Sequence, residues 1–239
     1  IRIDQGVSGT GIQRMDDMTP SVWEEADGAG LSAGINKIAG TSVGGTIEVV
    51  PTDAMPAGLT ARIAWSPDSD SGRTGDKAAG GSSGVLGAGW DITLEAGSDL
   101  HGVDGLSIYG GYSQVDQQQN GSAYNGDVKE NVLGIKYAAG AFSVGAQVTD
   151  EDTGATAATG YDNIAYGVTF NVNDDLSIGI NHTESDQKGS TNPTAEATSI
   201  QAAYTMGGAT FRIAEVQVDN STYSSSDQSA TILSLGLAF

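Results

Sequence analysis

Apolar and polar residues alternate with period 2 through most of the chain, the mark of β-strands with two unlike faces. The last stretch shows it most plainly. Thr231, Leu233, Leu235, Leu237 and Phe239 share one side; Ile232, Ser234, Gly236 and Ala238 share the other. Upstream, Leu59, Ala61, Ile63 and Trp65 oppose Thr60, Arg62, Ala64 and Ser66, and Ile164, Tyr166, Val168 and Phe170 oppose Asn163, Ala165, Gly167 and Thr169. The same reading starts strands near Val43, Leu86, Leu106, Leu133, Phe142, Leu176, Ile200 and Phe211. That makes eleven strands of about 8 to 12 residues, and no helical periodicity between them. Phe211 and Ile213 are odd-numbered while Val216 and Val218 are even, a phase slip that predicts a bulge near Ala214.

The connections alternate as strictly as the strands. Residues 140–141, 173–174 and 207–208 read as minimal hairpin turns, and 51–58 and 96–105 as moderate ones. The connections 66–84, 116–128, 150–162, 184–196 and 219–227 are long and polar. In an up-and-down sheet every second connection lies at the same end, so one end is trimmed and the other carries loops.

Two architectures fit such strands: a soluble sandwich with a buried apolar face, and a transmembrane barrel with its apolar face in lipid. Strand lengths near the ~9–11 residues that cross a bilayer favour the barrel. So do Trp65, Tyr112, Tyr137, Phe142, Phe170, Tyr204, Phe211 and Phe239, which lie near strand ends on the apolar side as interfacial girdles do. Asp91, Glu95, Lys136, Gln147, Asn163, Asn181, Gln201 and Arg212 crowd the other face, which suits a wet lumen better than a dry core. The fold expected is an all-β, transmembrane, antiparallel up-and-down β-barrel, one domain over 1–239. Residues 43–239 form its wall, and 5–42 form a segment without alternation.

Composition narrows the function. Ten Lys and Arg against 30 Asp and Glu give a net charge of −20, which argues against a nucleic-acid partner. Without Cys there is no disulfide framework and no thiolate chemistry. No apolar run approaches the ~20 residues of a membrane-spanning helix. His101 and His182 offer little to an esterase: His101 falls in a turn, and Glu184 stands where a serine two positions after His182 would be needed. The chain begins at Ile1 with no initiator Met or secretory signal, as a processed chain or the later part of a longer one would.

The closing ILSLGLAF with its terminal Phe239, the hairpin rhythm and the acidic segment before the first complete strand resemble the general diffusion porins of Gram-negative outer membranes, the alphaproteobacterial type in particular. That resemblance implies a homotrimer of sixteen-stranded barrels whose third long loop, between the fifth and sixth strands, folds inward and narrows the pore. If 5–42 is that loop, sixteen less five leaves the eleven strands counted here. Leu233, Leu235, Leu237 and Phe239 then match the C-terminal signal read by the assembly machinery.

On that resemblance the expected function is passive diffusion of small hydrophilic solutes and ions through an outer-membrane channel, with no enzymatic step and cations preferred. Asp16, Asp17, Glu24, Glu25 and Asp27 are expected to form the acidic side of the constriction, and Arg62, Lys136 and Arg212 the basic wall. No cofactor is required. Calcium is the candidate ion for Asp68, Asp70, Asp150 and Asp152, whose hard oxygens are closely spaced; a merely solvated acidic loop also fits them. A secreted β-rich adhesin and a substrate-specific outer-membrane channel are the alternatives.

Overall fold

The computed structural model describes residues 1–5, 9–41, 45–69, 86–117, 123–157 and 159–237. Among them are twelve strands: β1 (Arg2–Gln5), β2 (Gly45–Val49), β3 (Leu59–Ser66), β4 (Leu86–Ala96), β5 (Leu106–Gln117), β6 (Val128–Ala139), β7 (Phe142–Asp152), β8 (Gly160–Asn171), β9 (Leu176–Lys188), β10 (Ala195–Met206), β11 (Ala209–Asp219) and β12 (Gln228–Leu237). They form one antiparallel sheet in strict sequence order, with β1 and β12 at its two ends. The eleven strands expected from the pattern are β2 to β12; β1 is a short twelfth that carries Ile3.

The outward face is the apolar one. Ile63, Trp65, Trp90, Ile92, Leu133, Ile135, Val148, Ile164, Ile180, Ile200, Ile213 and Leu233 all lie open on it. Aromatic pairs edge the band, with Phe142 against Phe170 at 4.4 Å and Trp90 against Tyr112 at 5.3 Å between ring centroids. So much exposed hydrocarbon in one contiguous belt is stable against lipid, and would aggregate in water.

The upper edge of that belt also records the tilt of the strands. On β4 the last outward apolar residue is Trp90, which pairs with Gln114, yet the corresponding residue of β5 is Tyr112, two positions nearer the short turns. The edge drops by two more at β5–β6 (Tyr112 pairs with Asn131; Leu133 follows) and by four at β8–β9 (Ile164 pairs with Glu184; Ile180 follows). It drops by two at β10–β11 (Ile200 pairs with Glu215; Ile213 follows) and stays level at the remaining four steps. Ten residues over eight steps, at ~3.4 Å per residue and ~4.8 Å per strand, is a tilt of about 40°, the value of a closed membrane barrel.

Two details depart from the sequence pattern. No bulge occurs near Ala214: β11 runs in unbroken register with β10 and β12, so Phe211 and Ile213 point out while Val216 and Val218 point in. The irregularity lies instead in β4 between Leu86 and Gly89, and Leu86 is buried although Trp90 is exposed. The strands also run past the apolar belt. β9 continues to Lys188, leaving only 189–194 before β10, where a connection over 184–196 was expected.

Buried side chains gather between the inner face of the sheet and the segment 9–41, not between two sheets. Ile12, Met15 and Ile38 pack on Tyr109 and Val132 of β5 and β6. Ala26, Ala29, Ala33 and Ile35 pack on Ala195, Ala197, Ala214, Val216 and Val218 of β10 and β11. One segment is thus covered by strands from the middle of the sheet and from near its β12 end, which curves over it.

Candidate functional site

The segment 9–41 has little secondary structure beyond a 3₁₀ turn at Gly11–Met15, so most of its backbone N–H and C=O groups need partners from elsewhere. The inner wall supplies them. Gly11 N–H donates to Glu48 on β2 at 2.9 Å. Ile12 N–H donates to Asp91 on β4 at 3.1 Å, and Asp91 also accepts from the N–H and hydroxyl of Thr41. Successive N–H groups of Ala39 and Gly40 donate to the two oxygens of Glu130 on β6, at 3.0 and 2.6 Å. On β9, Asn181 accepts from Ala26 N–H at 2.8 Å and donates to the Thr19 hydroxyl at 3.0 Å. On β10, Gln201 accepts from Trp23 N–H at 2.8 Å. Gln147 donates to the Asp16 carbonyl and Asn163 to the Asn36 carbonyl. Asp91, Gln147, Asn163, Asn181 and Gln201, expected to face lumen water, are therefore buried partners of a folded-in loop.

Close approach also requires missing side chains. Pro20 lies over the cross-strand pair Gly145 and Gly167, where a Cβ on Gly167 would stand 2.1 Å from the Pro20 carbonyl oxygen. Any larger residue there would push the loop off the wall.

Within the loop the acids do not line up as expected. Lys37 Nζ lies 2.9 Å from Asp17 and Glu25, 3.1 Å from Asp27 and 4.0 Å from Asp16. Asp16, Glu25 and Asp27 are buried; Asp17 sits at the edge of the group, and Glu24 is exposed outside it. Burial works against the Lys37 ammonium, yet the four carboxylates outweigh it and hold the amine well above its ordinary value. Burial pushes the Glu25 carboxyl up, opposed by Lys37 and reinforced by Asp27 and Asp17. Placing Asp16, Glu25 and Asp27 on an open pore surface is therefore corrected: a buried carboxylate is costly without a counter-charge, and each turns to Lys37.

The expected basic wall is dispersed. Arg62 on β3 faces inward with its Nε 3.7 Å from Glu95. Lys136 on β6 and Arg212 on β11 also face inward, but near the short turns, away from the Lys37 group. Two basic residues were missed. Arg14 of the 3₁₀ turn donates to the Gly9 carbonyl at 2.8 Å and sits 3.8 Å from Glu48, and Lys37 centres the acid group. Their one signal in sequence was that they are the only cations in residues 5–42.

Of the candidate calcium ligands, Asp150 pairs with Lys188 beside Asp162, Asp152 accepts from Gly154 N–H at 2.8 Å, and Asp68 belongs to a separate connection. Among the described residues no three metal-ligating side chains come together. Leu233, Leu235 and Leu237 lie on the outward face of β12. Asp70 and Phe239 lie outside the described residues. His182 faces outward against Tyr166, with Nδ1 2.7 Å from the Thr198 hydroxyl and Nε2 3.0 Å from Glu184.

Residues 12–238 match the family model described as Gram-negative porin. The chain belongs to that family. Family membership places this porin in the bacterial outer membrane, consistent with its lipid-facing belt. Three solved porins share its fold. An anion-selective porin from Comamonas acidovorans superimposes with a TM-score of 0.63 at 13% identity, over 82% of this chain and 60% of that one. OmpF of Salmonella typhi, solved with daunomycin, gives 0.62 at 14% identity, over 81% and 62%. A mutant porin of Rh. blastica gives 0.56 at 14% identity, over 99% and 72%. This porin chain thus spans about three fifths of the first two. No curated protein matches its sequence.

Proposed function

We propose that this chain forms the larger part of a water-filled channel through which small hydrophilic solutes and ions diffuse passively, with no chemical step. The observation that supports the reading is a 33-residue segment, 9–41, fastened to the lumen side of a sheet whose other side is a lipid belt. A loop held in that place narrows a pore without closing it off with a second domain. Its likeness to porins extends the proposal to a homotrimer of sixteen-stranded barrels in contact with outer-membrane lipid.

The net charge of −20 favours cations at the mouths, where acidic strand ends such as Asp150 and Asp152 of β7 and Asp162 of β8 concentrate counter-ions. The shared fold does not decide the sign, since one structural neighbour is an anion-selective porin. Full-length protein reconstituted in planar bilayers should give stepwise conductance, in triplets for a trimer. Stable insertion with no conductance would overturn the channel.

A further inference from the structure

The stretch 33–36 of the inward segment is held differently from the rest. Among the described residues the wall reaches its backbone once, where Asn163 donates to the Asn36 carbonyl. Its other fastenings come from the connection between β11 and β12. Thr222 N–H at 3.0 Å and the Ser221 hydroxyl at 3.2 Å both donate to the Ala33 carbonyl. Asn36 N–H donates to the Tyr223 hydroxyl at 2.9 Å, and that hydroxyl also bonds the Ser185 hydroxyl of β9 at 2.8 Å. The Tyr223 ring is buried with Ala33 and Ile35, its centroid 5.1 Å from that of Tyr161 on β8. Gly34 completes the fit: its φ is +66°, and a Cβ there would run into Thr222 Cγ2.

The connection bends sharply to make these contacts. Asn220, Thr222 and Tyr223 hold φ of 54°, 56° and 55°, in the left-handed region. Asparagine tolerates it, but a β-branched threonine and a bulky tyrosine enter it at a cost. Bonds within the connection close its tip, as Ser221 N–H does on the Ser226 carbonyl at 2.8 Å. What holds Thr222 and Tyr223 in place is their grip on Ala33 and Asn36 and on the strands behind them.

We infer that Tyr223 is a positioning residue of the pore, a bolt that the β11–β12 connection seats between the inward segment and the strands β8 and β9. Seated, it fixes 33–36 beside the exposed Ser32, and with them the calibre of the water path. Withdrawn, it lets the backbone bend relax, while Ala33 and Asn36 lose their partners. The wall lies behind this stretch, so once released it moves toward the lumen and narrows the path. The strain in the seated bend brings the two states closer in free energy, which gives the channel a second, lower conductance level. The inference rests on the channel reading and deepens it by naming what sets the calibre.

The test uses full-length protein in planar bilayers, where the wild type should show brief steps to a lower level. Tyr223→Phe keeps the ring but leaves Asn36 N–H without its acceptor, and should make the steps about tenfold more frequent. Gly34→Ala, which drives a methyl group against Thr222, should act in the same direction. Thr222→Gly removes the steric cost of the seated bend and should make the steps rarer. Ser225→Ala, at the exposed tip, should change nothing. If Tyr223 only packs, Tyr223→Phe lowers the urea midpoint of the barrel and leaves the step frequency at the wild-type value; that result overturns the bolt and leaves the channel intact. Thr222→Gly raising the step frequency as Tyr223→Phe does also overturns it. Hydrogen exchange in detergent reads the bolt without conduction. In Tyr223→Phe the Thr222 amide, whose own bond to Ala33 is untouched, should exchange faster together with Asn36, and in Thr222→Gly the Asn36 amide should exchange more slowly. That pattern supports the bolt even if the wild type carries no current, and exchange unchanged in both variants overturns it.

Discussion

The carboxylate of Asp91 accepts both the backbone N–H of Thr41, at 3.2 Å, and its hydroxyl, at 2.9 Å. The same carboxylate takes the N–H of Ile12, so one wall residue clamps the entry and the exit of the inward loop. Asp91→Ala should remove three accepted hydrogen bonds to an anion and weaken loop docking by about 3 kcal/mol or more. Hydrogen exchange should rise at residues 12 and 41 first, with the barrel still folded; unchanged protection there would show that the clamp carries nothing.

Lys37→Met should have a different signature. Removing the ammonium leaves Asp16, Asp17, Glu25 and Asp27 facing one another. Breaking a buried ion pair in this way costs about 3 to 5 kcal/mol. The loop should become sensitive to protease near residues 16–37, and single-channel current noisier. A variant as resistant as the wild type would remove Lys37 from its structural role.

The pH dependence follows from the same residue. Its amine is held well above the ordinary 10.5 in the docked loop, and returns to that value when the loop is released. A raised lysine contributes stability that is complete below 10.5 and is lost as pH rises through the higher, docked value. Protection of the loop against exchange, corrected for the intrinsic rate, should therefore hold from neutrality to about pH 10 and fall only in stronger alkali. Loss of protection already at pH 8 to 9 would contradict the charge assignment.

Gly167→Val tests the close approach of loop to wall. Its new Cβ would meet the Pro20 carbonyl oxygen at 2.1 Å, a backbone atom that must move inward. Single-channel conductance should fall as the loop is pushed into the path, while the folded barrel persists.

The two faces can be separated at adjacent positions. Val168→Arg puts a charge into the lipid belt and should cost about 2 to 4 kcal/mol of folding stability, while Thr169→Arg, turned to the lumen, should cost about 1 or less. Urea titration of protein folded into bilayers measures both. The reverse order would invert the barrel.

The membrane part of the wall was readable because lipid on one side and water on the other impose alternation, as in Phe142–Val148 or Ile164–Phe170. The rule lapses where a strand leaves the belt. Asp150, Glu151 and Asp152 belong to β7, and Glu184 to Lys188 belong to β9, yet both faces are polar there and the stretches read as loops. The loop's place was legible from its acids and missing period, but not its fastenings. Trp23 and Gln201 are 178 residues apart, and neither carries a local sign of the other. Lys37 carries no local sign of its role, because its acids stand 10 to 21 positions away in sequence and a buried group must be counted with its counter-charge.

The apolar patch on the inner face of β11 has a consequence for how this wall is built. Phe211 and Ile213 prefer lipid, while Val216 and Val218 are hidden only once Ala26, Ala33 and Ile35 cover them. Hydrophobicity alone cannot tell this strand which way round to lie, since a one-residue slip exchanges one greasy pair for another. The docked segment covers Val216 and Val218 and so stabilises the observed alignment of β11 over the slipped one.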